Sequence, residues 1–145
     1  MDEAAGFTQV PAHICPACGH SGTLVHEVRD MPLEHLGHQT VVEAVHGVFC
    51  TACQEGFSDP QHPQDWQRYS ERLVAFCAEV TQHEAATIRA TRKKLGLRQV
   101  DAGRLFGGGA AAFSEYERGK TQPHKSTRLL LKLLDKHPEL LAELR

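Results

Sequence analysis

Four of the five cysteines stand in two C-x-x-C pairs, CPAC (Cys15 and Cys18) and CTAC (Cys50 and Cys53). A C-x-x-C turn can aim both sulfurs at one point, and two such turns supply the four soft ligands of a tetrahedral zinc site. Gly19 follows the first pair directly, where a positive φ lets backbone N–H groups face the sulfurs. Gly56 lies three residues after the second pair. Four thiolates close the coordination shell and leave no position for an activated water. The expected metal, one zinc ion per chain, is therefore structural, although iron also suits four thiolates. A redox dithiol would need a βαβ setting that these pairs lack, and no nucleophile–base constellation stands elsewhere. An enzyme, whether zinc hydrolase or oxidoreductase, is not expected.

These pairs must be held by the segments between and after them. Residues 22–49 read as strands: Leu24, Val28 and Met31 are apolar among polar neighbours, Gly37 interrupts, and TVVEAVHGVF is rich in β-branched residues, with Gly47 as a candidate bulge. After Pro63, Trp66, Tyr69, Leu73, Phe76, Cys77 and Val80 recur at helical spacing. This predicts a helix over about 63–80, with Cys77 packed in its apolar stripe. His20 and His46 lie near the cysteine pairs, but none of the ten histidines is assigned to a site.

Charge divides the chain. Residues 1–80 carry three Arg/Lys against eleven Asp/Glu, a balance of −8, and residues 81–145 carry thirteen against seven, a balance of +6. Such a swing points to two modules with opposite partners, the acidic one suited to a basic protein and the basic one to nucleic acid. The first fourteen residues are acidic and lack the basic start of a signal peptide, and no apolar run is long enough to cross a membrane. A cytoplasmic protein with reduced thiols is expected. The predicted division is a disordered acidic tail over 1–14, a zinc-binding domain over 15–80, a short hinge at 81–84 where TQHE breaks the helical pattern, and a helical domain over 85–145.

In the basic part, ATIRATRKKLGL reads as a helix ending at Gly96, QVDAGRLFG as a second, GGG as a turn, AAAFSEYERG as a third helix and STRLLLKLLDKH as a fourth. Pro138 can open a last one, PELLAELR. Small residues at 102 and 103 allow the second and third helices to approach closely. Five short helices with a tight turn between the second and third describe a helix-turn-helix domain. The fold class is thus α+β: a small zinc-bound antiparallel β domain with a helix, followed by an all-α five-helix domain.

The stretch KKLGLRQVDAGRLFGGGAAAFSEYERGKTQP resembles the Xre, or lambda-repressor-like, class of helix-turn-helix domains. The FGGG element, the YERG ending, the tail QPHKSTRLLLKLLDKHPELL and two C-x-x-C pairs thirty-one residues apart make the chain from Cys15 to Arg145 similar to MqsA-type antitoxins, also called the YgiT family. The resemblance implies a type II toxin–antitoxin system. The zinc domain would cap a small basic MqsR-like ribonuclease toxin. The helical domain would form a homodimer on double-stranded operator DNA and repress its own operon. The alternative is an orphan zinc-binding helix-turn-helix regulator without a toxin.

At 100° per residue Ala112, Phe113 and Tyr116 share the core side of the third helix, while Ala110, Ala111, Ser114, Glu115 and Arg118 face a groove. The family pattern implies base-reading asparagine and arginine at the positions of Ala111 and Glu115, and this sequence departs at both. Alanine can touch only a thymine methyl, and glutamate can accept from cytosine N4. Phosphate contacts are expected from Gln99 and the amides opening the second helix, from Lys120 and Thr121, and from Lys93, Lys94 and Arg98. Arg98 stands where a Ser or Thr cap would be usual. Leu140, Leu141 and Leu144 form a small apolar patch whose simpler assignment is packing within the domain, and a C₂ dimer through this region would set two recognition helices roughly 34 Å apart.

Overall fold

The structure, a computed structural model, describes residues 13–145. The expected acidic tail, apart from His13 and Ile14, lies outside the described residues. The order of elements is β1 (Leu24–His35), β2 (His38–Cys50), β3 (Gly56–Ser58), α1 (Pro63–Lys94), α2 (Gln99–Phe106), α3 (Ala112–Glu117), α4 (Lys125–Lys136) and a closing 3-10 segment (Pro138–Leu144). Two compact units divide within α1, one ending at Ala75 and the other beginning at Phe76.

The first unit is a three-stranded antiparallel sheet in the order β1-β2-β3 with the start of α1. Leu36 and Gly37, both at positive φ, make the two-residue turn between His35 and His38. The expected bulge at Gly47 is not there, since Gly47 pairs regularly with Glu27 and Ser58. Its missing Cβ instead admits the Phe49 ring, which a Cβ would meet at 2.8 Å. The irregularity falls where Glu43 and Ala44 together oppose Asp30, with Ala44 at φ +51. Three bonds support this strained turn: the Ala44 amide donates to Asp30 Oδ1 at 2.9 Å, and the Arg68 guanidinium of α1 donates to the carbonyls of Glu43 and Ala44 at 3.0 Å each. The shift also moves side chains between faces. Leu33, Val42, Val45 and Phe49 are buried, whereas Val28 is about half exposed.

Residues 81–84 do not interrupt the helix, which runs unbroken for 32 residues. TQHE reads as a linker because it is polar. Glu84, however, is buried and pairs with Arg128 of α4 at 3.8 Å, and Thr81 and Gln82 face the close approach of Gly119. The first of the five expected helices is thus the end of α1, and the last is 3-10 rather than α, opening on Pro138 as anticipated. Cys77 is half-buried rather than packed within a core.

The core of the second unit joins Ile88 of α1, Leu95 and Leu97 just after it, Ala102 of α2, Phe113 of α3, Leu131 and Leu134 of α4, and Leu141. Phe106 and Tyr116 flank Phe113, with centroids at 5.8 and 5.5 Å, the Tyr116 contact edge-on.

Candidate metal centre and nucleic-acid interface

The two cysteine turns are built alike. The Cys15 amide donates to the His20 carbonyl at 2.9 Å and the Gly19 amide to the Cys15 carbonyl at 2.8 Å. In the second turn Cys50 donates to Glu55 at 2.9 Å and Gln54 to Cys50 at 2.9 Å. The residue after each second cysteine is left-handed, Gly19 at φ +75 as the sequence suggests, and Gln54 at φ +65 without glycine's freedom. Gly56 serves another purpose: a Cβ there would meet the Phe49 ring at 2.8 Å.

The sulfurs of Cys15 and Cys53 are 3.8 Å apart, those of Cys18 and Cys50 3.7 Å, and all four lie within 4.8 Å of one another. Ligands about 2.3 Å from a tetrahedral zinc would be separated by roughly 3.8 Å, while a disulfide would require about 2.05 Å. The electrostatics agree. The Thr23 hydroxyl, with Oγ1 3.2 Å from Cys50 Sγ, and then the amides of Cys53 and Ala52 hold the Cys50 thiol down at about 6. At Cys53 the Glu55 amide also favours the thiolate. Burial and the three neighbouring sulfurs outweigh it and push that thiol up to about 12. Four sulfurs so crowded ionise together only around a cation, which the donor set fits. His20 is a neighbour of this cluster, its Nδ1 3.4 Å from Cys18 Sγ; His46 is turned to Asp65 instead.

In the second unit α2 and α3 are joined by Gly107, Gly108 and Gly109, all at φ between +86 and +91. A Cβ on Gly103 would lie 2.0 Å from the Gly109 carbonyl oxygen, so the approach allowed by small residues is realised against the turn. α3 is shorter than expected: Ala110 and Ala111 belong to the turn, and Ala111 at the N-cap offers no capping side chain. Its far end closes with Gly119 at φ +68, where the Gly119 amide donates to Tyr116 and the Lys120 amide to Glu115.

Ala112 and Phe113 are buried, as the helical period requires, and Ala110, Ala111 and Arg118 are exposed with Ser114 and Glu115 half-exposed. Arg118 Nε donates to the Ser114 carbonyl at 3.0 Å, and Thr121 Oγ1 donates to Glu115 Oε2 at 3.4 Å. Lys93, Lys120 and Thr121 are exposed. Lys94 binds the Asp135 carboxylate at 3.2 Å, and Arg98 pairs with Asp101 at 2.7 Å at the uncapped start of α2. Gln99 is turned inward, donating to Glu117 Oε2 at 2.9 Å. Glu117 also receives the Nε and Nη2 groups of Arg92, and Arg92 Nη1 donates to the Leu97 carbonyl at 2.8 Å. Sequence reading missed this buried pair, because an arginine and a glutamate twenty-five residues apart in charged helices carry no local signal.

The family described as the antitoxin component of a bacterial toxin–antitoxin system, MqsA, matches residues 13–145. Antitoxin MqsA of Escherichia coli (strain K12) is 42% identical over 133 residues, spanning 90% of this chain and 98% of that protein. The solved N-terminal domain of E. coli MqsA aligns with 46% of this chain and 94% of its own length, at 28% identity and a TM-score of 0.38. With the sulfur cluster and the helical module both inside the matched region, the chain belongs to the MqsA family of antitoxins.

Proposed function

We propose that the chain neutralises a small basic MqsR-like ribonuclease toxin through its first unit and represses its own promoter as a homodimer through its second. The match over residues 13–145 carries the reading, because it includes the acidic sulfur-bearing unit and the basic helical unit together. Cys15, Cys18, Cys50 and Cys53 would hold one zinc ion. With its shell closed, the ion's contribution is to tie the two turns of the small sheet together. No catalytic role follows from it, and the chain acts as a regulator in the cytoplasm.

In the groove, Ala110, Ala111, Ser114, Glu115 and Arg118 would meet bases, and Lys93, Lys94, Arg98, Lys120 and Thr121 would meet phosphates with the amide of Gln99. With alanine at 111 and glutamate at 115, specificity rests on methyl contacts, few side chains and DNA shape. Leu141 is buried in the core, so the dimer patch is formed by Leu140 and Leu144, exposed by 38% and 39%, joined by Leu129 and Leu133 of α4, exposed by 55% and 47%. These four are the large apolar side chains that the last two helical segments leave to solvent.

Fluorescence anisotropy with the chain's own promoter and with scrambled DNA, across a salt series, tests the repressor half. A large specific-to-scrambled ratio supports it, and equal, steeply salt-dependent binding to both refutes it. RNA cleavage by a small basic MqsR-like toxin, with and without this chain, tests the other half. Inhibition at one equivalent supports neutralisation, and undiminished cleavage refutes it.

A further inference from the structure

In the second unit α1 and the end of α3 flank a groove of about 330 Å³, lined by Gln82, Ala86, Arg89, Ala90 and Lys93 of α1 and by Glu117 of α3. Gln82, Ala86, Arg89 and Lys93 recur at three- and four-residue spacing and so stand on one side of the helix. All four are exposed, as is Ala90. The turn after α3 borders the same stretch of α1: a Cβ on Gly119 would lie 3.3 Å from Thr81 Cγ2 and 3.6 Å from Gln82 Nε2. We infer that this groove seats the phosphate backbone of one DNA strand, with Arg89 and Lys93 as its cationic contacts and Gln82 as a neutral donor. The inference rests on the promoter-binding reading above and deepens it, adding Arg89 and Gln82 on the helix that precedes α2 and α3.

Charge selects the occupant. Several cations of the second unit are matched within it: Arg92 by Glu117, Lys94 by Asp135, Arg98 by Asp101 and Arg128 by Glu84. The side chains of Arg89 and Lys93 are in no hydrogen bond or ion pair among the described residues. Glu117, the carboxylate in the groove, accepts from Arg92 and Gln99, so its charge is answered from inside the fold. The groove therefore offers positive charge to a ligand. Exposed Lys120 follows Gly119 directly and continues that margin toward the turn after α3. This continuity favours a nucleic-acid strand over an acidic protein segment. Ala86 and Ala90 carry only a methyl group on either side of Arg89, which lets a phosphate approach closely enough for the planar guanidinium to hold two of its oxygens. From Gln82 to Lys93 the helix rises about 16 Å, enough to follow more than one phosphate of a strand whose charges fall about 3.4 Å apart along the duplex axis. Such contacts carry no sequence information, so they hold the domain on DNA where Ala111 and Glu115 supply little base reading.

The test is fluorescence anisotropy of the zinc-loaded full chain on its own promoter and on scrambled DNA, between about 0.05 and 0.2 M salt. Arg89→Gln should weaken binding to both DNAs by the same factor, roughly five- to tenfold at about 0.1 M salt, and lower the salt slope by about 0.9. Arg89→Lys should keep the slope. Ala90→Glu, which sets a carboxylate beside Arg89, should weaken both DNAs at least as much as Arg89→Gln. Lys136→Gln removes a charge on α4 outside the groove and should leave the slope as it is. A native slope retained by Arg89→Gln, or lost equally in Lys136→Gln, would overturn the inference and leave the promoter reading standing. Unchanged DNA binding by Arg89→Gln with weaker binding of polyglutamate would also overturn it, in favour of an acidic protein segment. Failure of the native chain to bind either DNA would remove the promoter reading and this inference together.

Discussion

Glu117 accepts hydrogen bonds from Nε and Nη2 of Arg92 and from Nε2 of Gln99, and so ties α3 to both α1 and α2. The side chains of Arg92 and Glu117 are only 11% and 4% exposed, so solvent screens their attraction weakly. Removing one member of a buried pair strands the other charge and costs about 3–5 kcal/mol. Glu117→Gln keeps the shape and one acceptor, which places it near the lower end, about 3 kcal/mol. For a unit of this size about 1 kcal/mol corresponds to about 4–8 °C, so its melting temperature should fall on the order of 12–24 °C. Thermal melts followed by far-ultraviolet circular dichroism measure it. Arg92→Met combined with Glu117→Leu should recover much of the loss, since an apolar pair carries no desolvated charge. The sign with pH follows. Burial raises the Glu117 carboxyl, but the bonds from Arg92 and Gln99 outweigh it and leave the group below its ordinary value. The pair's contribution is therefore complete above the unfolded value of about 4.3 and is lost as pH falls through the lower folded value. Glu117→Gln should lack that part of the acid limb. A loss below about 1 kcal/mol, or a coupling energy in the double-mutant cycle under about 0.5 kcal/mol, would refute the assignment.

One zinc per chain should be released by thiol modification, and Cys50→Ser should abolish stoichiometric zinc, measured with a chromogenic chelator. Gly103→Ala drives a methyl into the Gly109 carbonyl and should cost about 1–3 kcal/mol in urea unfolding. Gly19→Ala meets open space, and its cost of about 1–2 kcal/mol would be conformational alone. Asp59, held at about 2, contributes stability that is present above about 3.9 and lost as pH falls through its folded value; urea unfolding of Asp59→Asn between these limits should show a flatter pH dependence. Ala111→Asn together with Glu115→Arg should shift promoter preference by about 1–3 kcal/mol per affected base in anisotropy competition, and unchanged preference would remove α3 from the groove.

The sulfur site was legible because each ligand pair is local and its spacing states the geometry; only the link between the pairs had to be supplied by the fold. The helical unit was legible for the same reason, since Ala112, Phe113 and Tyr116 mark the inner face of α3 by period alone. What sequence pattern concealed is set by partners distant along the chain. Residues 81–84 look like a linker until Arg128 is placed beside Glu84. Gly47 looks like a bulge until the Phe49 ring is seen to occupy the space of its missing Cβ, and the true irregularity at Ala44 depends on Arg68 of α1. Asp59 Oδ2 lies within 3.3 Å of Nδ1 of both His26 in β1 and His62 before α1, and no short window of sequence holds both rings.

The three glycines before α3 also constrain how this protein can vary. Their backbone lies where L-residues are strained, Gly107 at ψ 172 in a region essentially restricted to glycine, and a Cβ on Gly108 would meet Ala112 Cβ at 2.8 Å and Tyr116 Oη at 3.0 Å as well. Drift through those positions is blocked by the fold itself. Ala110 and Ala111, immediately afterwards, are exposed and can be exchanged with little effect on folding. A joint that admits only glycine beside freely replaceable alanines separates heredity of shape from heredity of preference: if α3 enters a promoter groove as proposed, a lineage could change the promoter it answers to by one or two substitutions without passing through an unfolded ancestor.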